Sequence, residues 1–159
     1  MFERRKSDID VDKMGAIAGL EALNGGKCPD LIINASGVPK QTIPDTSVFI
    51  QKEMGFEGIH SFSIHSTCLS FITALQTGSS LINANTYKRV LIISSERGTR
   101  GRNFKEPESS SLLGDGAAAI HRTTLDKAGH SLPGDDTIHV ESSQCQRAGS
   151  HLAAHRMAR

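Results

Sequence analysis

The stretch His65-Ser66-Thr67-Cys68-Leu69-Ser70 holds the residues best suited to covalent chemistry in this chain. Cys68 stands where a short apolar run ends, near Ile64, and where a longer run with helical spacing begins. A thiol in that position meets the N-terminus of a helix, with its unpaired N–H groups and roughly half a positive charge. Such a setting favours the thiolate, and the same N–H groups can face a developing oxyanion. The chemistry it suits is nucleophilic acyl transfer, with Cys68 as the nucleophile. Two blander readings stand beside it: a small buried hydrophobe, or a redox-active thiol.

Other reactive residue types lack such a context. Cys28 and Cys145 adjoin no comparable junction, no CxxC is present, and an odd count of three fits no simple disulfide framework. A reducing, cytoplasmic setting is the expectation. His65 lies three residues before Cys68 and reads as structural or pocket-lining. Five of the seven histidines fall from His121 onward, without ligand-like spacing except His151 and His155 at i, i+4. No metal site is expected from them.

The elements needed to hold Cys68 follow from periodicity. Apolar positions Ile9, Met14, Ile17, Leu20 and Leu23 suit a helix that ends at Gly25-Gly26. DLIINAS, 30–36, reads as a strand buried on both faces. Asp45 suits the cap of a helix that stops at Gly55. A strand over 60–64, a helix from Cys68 to about Ala84 and a strand over 89–96 follow. After a charged loop, Gly114-Asp115-Gly116 suggests a glycine turn leading into a further strand. This alternation predicts an α/β fold, a mostly parallel sheet covered by helices. Residues 1–124 form the expected domain. Residues 125–159 change character and read as a divergent or partly disordered tail.

Composition narrows the function classes. With 18 basic and 17 acidic residues, the net charge of +1 gives no electrostatic reason for a nucleic-acid partner. No apolar run approaches the roughly 20 residues of a membrane span. The opening MFERRKSDID has no apolar core of a signal peptide.

IHSTCLSFITAL resembles the active-site segment of thiolase-superfamily condensing enzymes, most closely the ketoacyl-acyl-carrier-protein synthase III branch. ERRK at 3–6, PDLIINASGVPKQTIPDTSVFIQKEMGF, YKRVLIISSE and LLGDGAAAI resemble further family segments in the same order. The resemblance covers about residues 3–122 and implies a thiolase-like half, truncated relative to a family roughly twice as long. It implies an acyltransferase in which Cys68 takes an acyl group as a thioester. Decarboxylative Claisen condensation then follows, in fatty-acid or polyketide-like metabolism. The Cys68 N–H would donate to the oxyanion, and Leu112, Leu113 and Ile43 would line acyl pockets. Ile43 would do so across a dimer interface. Arg100, Arg102 and Lys105 would be placed for thioester-phosphate contact, or are ordinary loop charges. Acyl-coenzyme A and acyl-carrier protein are the implied substrates, with no permanently bound cofactor, and a homo- or hetero-oligomer is expected. The family's histidine and asparagine lie in a second half that nothing in 123–159 resembles. The alternative is therefore a catalytically incomplete fragment or subunit. Ser70 replaces the glycine common two places after the family's cysteine, and Ser63 stands where many members carry aspartate.

Overall fold

The computed structural model describes residues 6–101, 103, 105–106 and 114–123. The expectations for Arg102, Leu112, Leu113, Cys145 and the 125–159 tail lie outside these residues.

Helix α1 (Val11–Leu23) comes first, followed by strand β1 (Leu31–Asn34), helix α2 (Thr46–Glu53) and strand β2 (His60–Ser63). A 3-10 turn (Thr67–Leu69) then leads into helix α3 (Ser70–Asn83) and strand β3 (Arg89–Arg97). A second 3-10 turn (Gly98–Gly101) precedes strand β4 (Asp115–Thr123). The four strands form one sheet in the order β2-β1-β3-β4. Strand β1 runs parallel to both β2 and β3, and β4 is antiparallel to β3. The expected alternation and mostly parallel sheet are both present.

The central strands explain the continuous apolar runs. Leu31, Ile32 and Ile33 of β1 and Val90, Leu91, Ile92 and Ile93 of β3 are fully buried. Their alternation splits them between two layers. Ile32, Leu91 and Ile93 pack with Ala16 and Leu23 of α1 and with Ile50 of α2. Leu31, Ile33, Val90 and Ile92 pack with Ala74 of α3 on the opposite face.

Helix α1 buries Met14 and Leu23 of the expected apolar positions, and Leu20 packs against the same core. Ile9 lies before the helix, and both Ile9 and Ile17 are exposed. Gly15, Ala16 and Gly19 are buried as well. A Cβ on Gly19 would stand 2.9 Å from Ile93 Cδ1, so the close approach of helix to sheet decides the face. Helix α3 follows the same logic, burying Ser70, Ala74 and Gly78 against the sheet. A Cβ on Gly78 would meet Ile92 Cδ1 and Val90 Cγ1 at 3.3 Å.

Helix ends fall near the expected residues. Asn24 ends α1 in the left-handed conformation (φ 44°), and Gly55 takes φ 73° just after α2. Asp45 caps α2, its carboxylate accepting the Ser47 N–H at 2.9 Å. The glycine turn expected at 114–116 is different: Asp115 and Gly116 already belong to β4, paired with Arg97 and Glu96. Asp115 is held there by the Ser7 N–H, the Thr99 N–H and the Thr99 hydroxyl, at 2.9, 3.0 and 2.8 Å. Burial pushes the Asp115 carboxyl up, but these donors and Arg97 outweigh it, and the net direction is down.

Candidate functional site

The sheet order places the end of β1 between the ends of β2 and β3, and the connections after β1 and β2 return on opposite faces. In open α/β sheets such a switch point, at the carboxyl ends of the strands, is where ligands bind. Three segments meet there: loop 36–45 after β1, the Cys68 turn after β2, and the end of β3.

Cys68 sits in the 3-10 turn that joins β2 to α3, one residue before Leu69, the N-cap of α3. It is a free thiol and exposed, so the buried-hydrophobe reading fails. The helix expected from Cys68 thus begins as a tighter turn and becomes α-helical only at Ser70. Thr67, immediately before the cysteine, has φ 50°. A β-branched residue in the left-handed region marks a strained turn, of order 1–3 kcal/mol.

A local hydrogen-bond set fixes this elbow. The Ser70 hydroxyl accepts the Ser66 N–H at 2.9 Å and donates to the Thr67 carbonyl at 2.7 Å. The Ser70 N–H also donates to Thr67 O, and the Leu69 N–H to Ser66 O at 3.0 Å. The Cys68 N–H has no hydrogen-bond partner among the described residues.

Around the elbow, a polar chain crosses the strand ends. Asn34 Nδ2 donates to Ser63 Oγ at 2.8 Å, and the Ser36 hydroxyl donates to Asn34 Oδ1 at 2.6 Å. The Ser95 N–H donates to Ser36 Oγ at 2.9 Å. Glu96 accepts the N–H groups of Gly37 and Val38, the latter at 3.1 Å. Gly37 lies beside the elbow, where an added Cβ would stand 3.8 Å from Thr67 O. Glu96, Asn34 and Ser36 were not singled out from sequence. Only the polar interruptions in otherwise apolar strand ends could have signalled them.

The other expected residues are scattered. His65 is exposed, with Nδ1 3.5 Å from Ser36 O. Ile43 is 82% exposed in loop 36–45, before a cis Pro44. Arg100 Nη1 lies 3.7 Å from Asp10 Oδ1, which Arg97 already engages at 2.6 Å. Lys105 is exposed, and its N–H donates to Asn103 Oδ1. Next to Cys68, Leu69 and Ile72 are 63% and 60% exposed, an apolar first turn open to solvent. Cys28 is disulfide-bonded, and Cys68 is the free thiol among the described residues. No group of three metal-ligating residues occurs among the described residues. Nor does any helix among them have the length and apolarity to cross a membrane.

Residues 62–132 match the family model described as 3-Oxoacyl-[acyl-carrier-protein (ACP)] synthase III. A beta-ketoacyl-[acyl-carrier-protein] synthase III from Rhizobium johnstonii is 37% identical over 117 residues, covering 71% of this chain and 36% of that relative. The synthase III of Clostridium perfringens strain SM101 is also 37% identical, over 132 residues, covering 79% of this chain and 41% of that protein. The crystal structure of 3-oxoacyl-[acyl-carrier-protein] synthase III from Aquifex aeolicus VF5 superposes with a TM-score of 0.74 at 30% identity. It covers 80% of this chain and 42% of that one. The chain thus spans less than half the length of the relatives it matches.

Proposed function

The chain belongs to the ketoacyl-acyl-carrier-protein synthase III type of thiolase-superfamily condensing enzyme, and on that footing we propose that it carries the acyl-accepting part of such an enzyme. The observation that carries the reading is the free, exposed Cys68 on a strained turn at the start of α3, with its own N–H unpartnered among the described residues.

The step proposed is acyl transfer to sulfur. Cys68 Sγ, as thiolate, attacks the carbonyl carbon of an acyl-thioester, and the carbonyl electron pair moves onto oxygen. The Cys68 N–H donates to that oxyanion. Collapse expels the donor's thiolate, which takes a proton from solvent, and leaves the acyl group on Cys68. Decarboxylative condensation with a second acyl group on acyl-carrier protein follows in the full reaction. That places the chain in fatty-acid or polyketide-like metabolism. Acyl-coenzyme A and acyl-carrier protein are then substrates rather than resident cofactors. Of the phosphate contacts suggested from sequence, Arg100 and Lys105 are both exposed among the described residues, and Arg97 takes the closer position on Asp10.

One observation favours a second reading, in which the chain completes its site with another chain. The apolar residues Leu69 and Ile72 beside the nucleophile face solvent, together with Ile43. Condensation also needs a base within hydrogen-bond reach of the reacting group. No histidine is hydrogen-bonded to Cys68 among the described residues. A homo- or hetero-oligomer would cover this surface and supply the missing groups. A cytoplasmic setting accords with an acyl-carrier-protein partner, whereas the disulfide at Cys28 fits an oxidising one. Thiol counting without reductant separates these settings.

The deciding experiment incubates the chain with acyl-coenzyme A and reads the mass of the peptide bearing Cys68. An acyl adduct that Cys68→Ala abolishes supports the proposal. A folded wild-type chain that takes no acyl group refutes it. An adduct without condensation product favours the second reading.

A further inference from the structure

Ser70 is 2% exposed, although it is a polar residue in the first turn of α3. Its hydroxyl bridges the two residues before the nucleophile, accepting from Ser66 N–H at 2.9 Å and donating to Thr67 O at 2.7 Å. Thr67 O and the Cys68 N–H belong to one peptide unit. That unit is planar and trans, so its carbonyl and its N–H point in opposite directions. Anchoring the carbonyl inward, onto the Ser70 hydroxyl and the Ser70 N–H, therefore aims the Cys68 N–H away from the helix. The unpartnered state of that N–H among the described residues agrees. The bridge also accounts for the φ of 50° at Thr67, because a strained β-branched residue persists only where its surroundings over-determine it. A glycine at this position has no side chain with which to do so.

We infer that Ser70 is a positioning residue, whose side-chain bridge orients the Cys68 N–H as the oxyanion donor. This rests on the reading of Cys68 as the acyl acceptor. The role differs from a general structural one in a measurable way. Thioester acylation develops an oxyanion on the carbonyl oxygen. Alkylation by iodoacetamide forms the S–C bond with loss of iodide and develops none.

The test compares the two reactions at Cys68 in wild type, Ser70→Ala and Ser70→Thr. In Ser70→Ala, acylation by acyl-coenzyme A is expected to slow by about tenfold or more, as when an oxyanion donor is impaired. Alkylation should stay within about twofold of wild type, because it draws on no such donor. Ser70→Thr keeps the hydroxyl and should recover most of the lost acylation. Equal slowing of both reactions in Ser70→Ala would mean a loosened fold and would overturn the inference. Unchanged acylation would overturn it as well. If wild-type chain takes alkyl but no acyl group, the acyl-acceptor reading itself fails and takes this inference with it. That outcome is distinct from a failure confined to the variants.

Discussion

The Ser63 hydroxyl donates to Asp45 Oδ1 at 2.8 Å, which ties the last residue of β2 to the cap of α2. The same carboxylate oxygen accepts the Ser47 N–H, and the Ser47 hydroxyl also donates to it. One side chain thus closes a helix end and braces the strand that delivers the Cys68 turn. Asp45→Ala should cost about 1–2 kcal/mol, the loss of a cap plus a side-chain hydrogen bond. Asp45→Asn keeps an acceptor oxygen and should cost less. Urea unfolding of both variants against wild type checks the order.

The approach of α1 to the sheet sets a second expectation. A Cβ on Gly19 would meet Ile93 Cδ1 at 2.9 Å and Met54 Cε at 3.0 Å. Both are ends of flexible side chains. In Gly19→Ala, the gain of about 1 kcal/mol in helix propensity should roughly cancel the cost of repacking. Gly19→Leu has no room and should destabilise by about 3 kcal/mol. A thermal melt in which the leucine variant matches wild type would show that the helix stands farther off the sheet.

His121 supplies a pH dependence. It lies on β4 opposite Leu91, and its Nε2 is buried without a partner. Burial pushes its pKa below the ordinary 6.5, Arg89 pushes it further down, and Asp30 opposes them. The unfolded chain therefore binds the proton more readily than the folded one. The stability that this histidine contributes is present above pH 6.5 and is lost as pH falls through the lowered folded value. His121→Gln, which does not titrate, should flatten the stability profile below neutral pH. Denaturant midpoints measured between about pH 5 and 8 test this. A profile equally steep in both proteins would rule it out.

What the sequence made legible was the class of each element and the junction at Cys68. The continuous apolar runs at 31–33 and 90–93 could only be buried strands, and Asp45 and Gly55 marked the ends of α2. The buried face of α1 was legible at Met14, Leu20 and Leu23 but not at its glycines, and large side chains at Ile9 and Ile17 signalled a burial they do not have. The position of Cys68 was visible, whereas the φ of Thr67 was not. A threonine carries no local preference for that conformation, which is imposed by Ser70, three residues on. Ser70 itself stood out only as a departure from the family, with no physical role until its hydroxyl could be placed. The polar chain Ser63–Asn34–Ser36–Ser95 was hidden for another reason: its members lie far apart in sequence and meet only through strand register.

That register has a consequence for assembly. Ser36 and Ser95 stand 59 positions apart along the chain, and β1 cannot pair with β3 until the whole of α3 has been made. The loop bearing Gly37 is fastened by Glu96, so it too waits for the end of β3 before it can settle beside Thr67. During synthesis the thiol emerges ahead of Ser95 and Glu96, which fasten Ser36 and Gly37 beside it. Competence for chemistry should therefore arrive late and all at once, when the last parallel strand zips home.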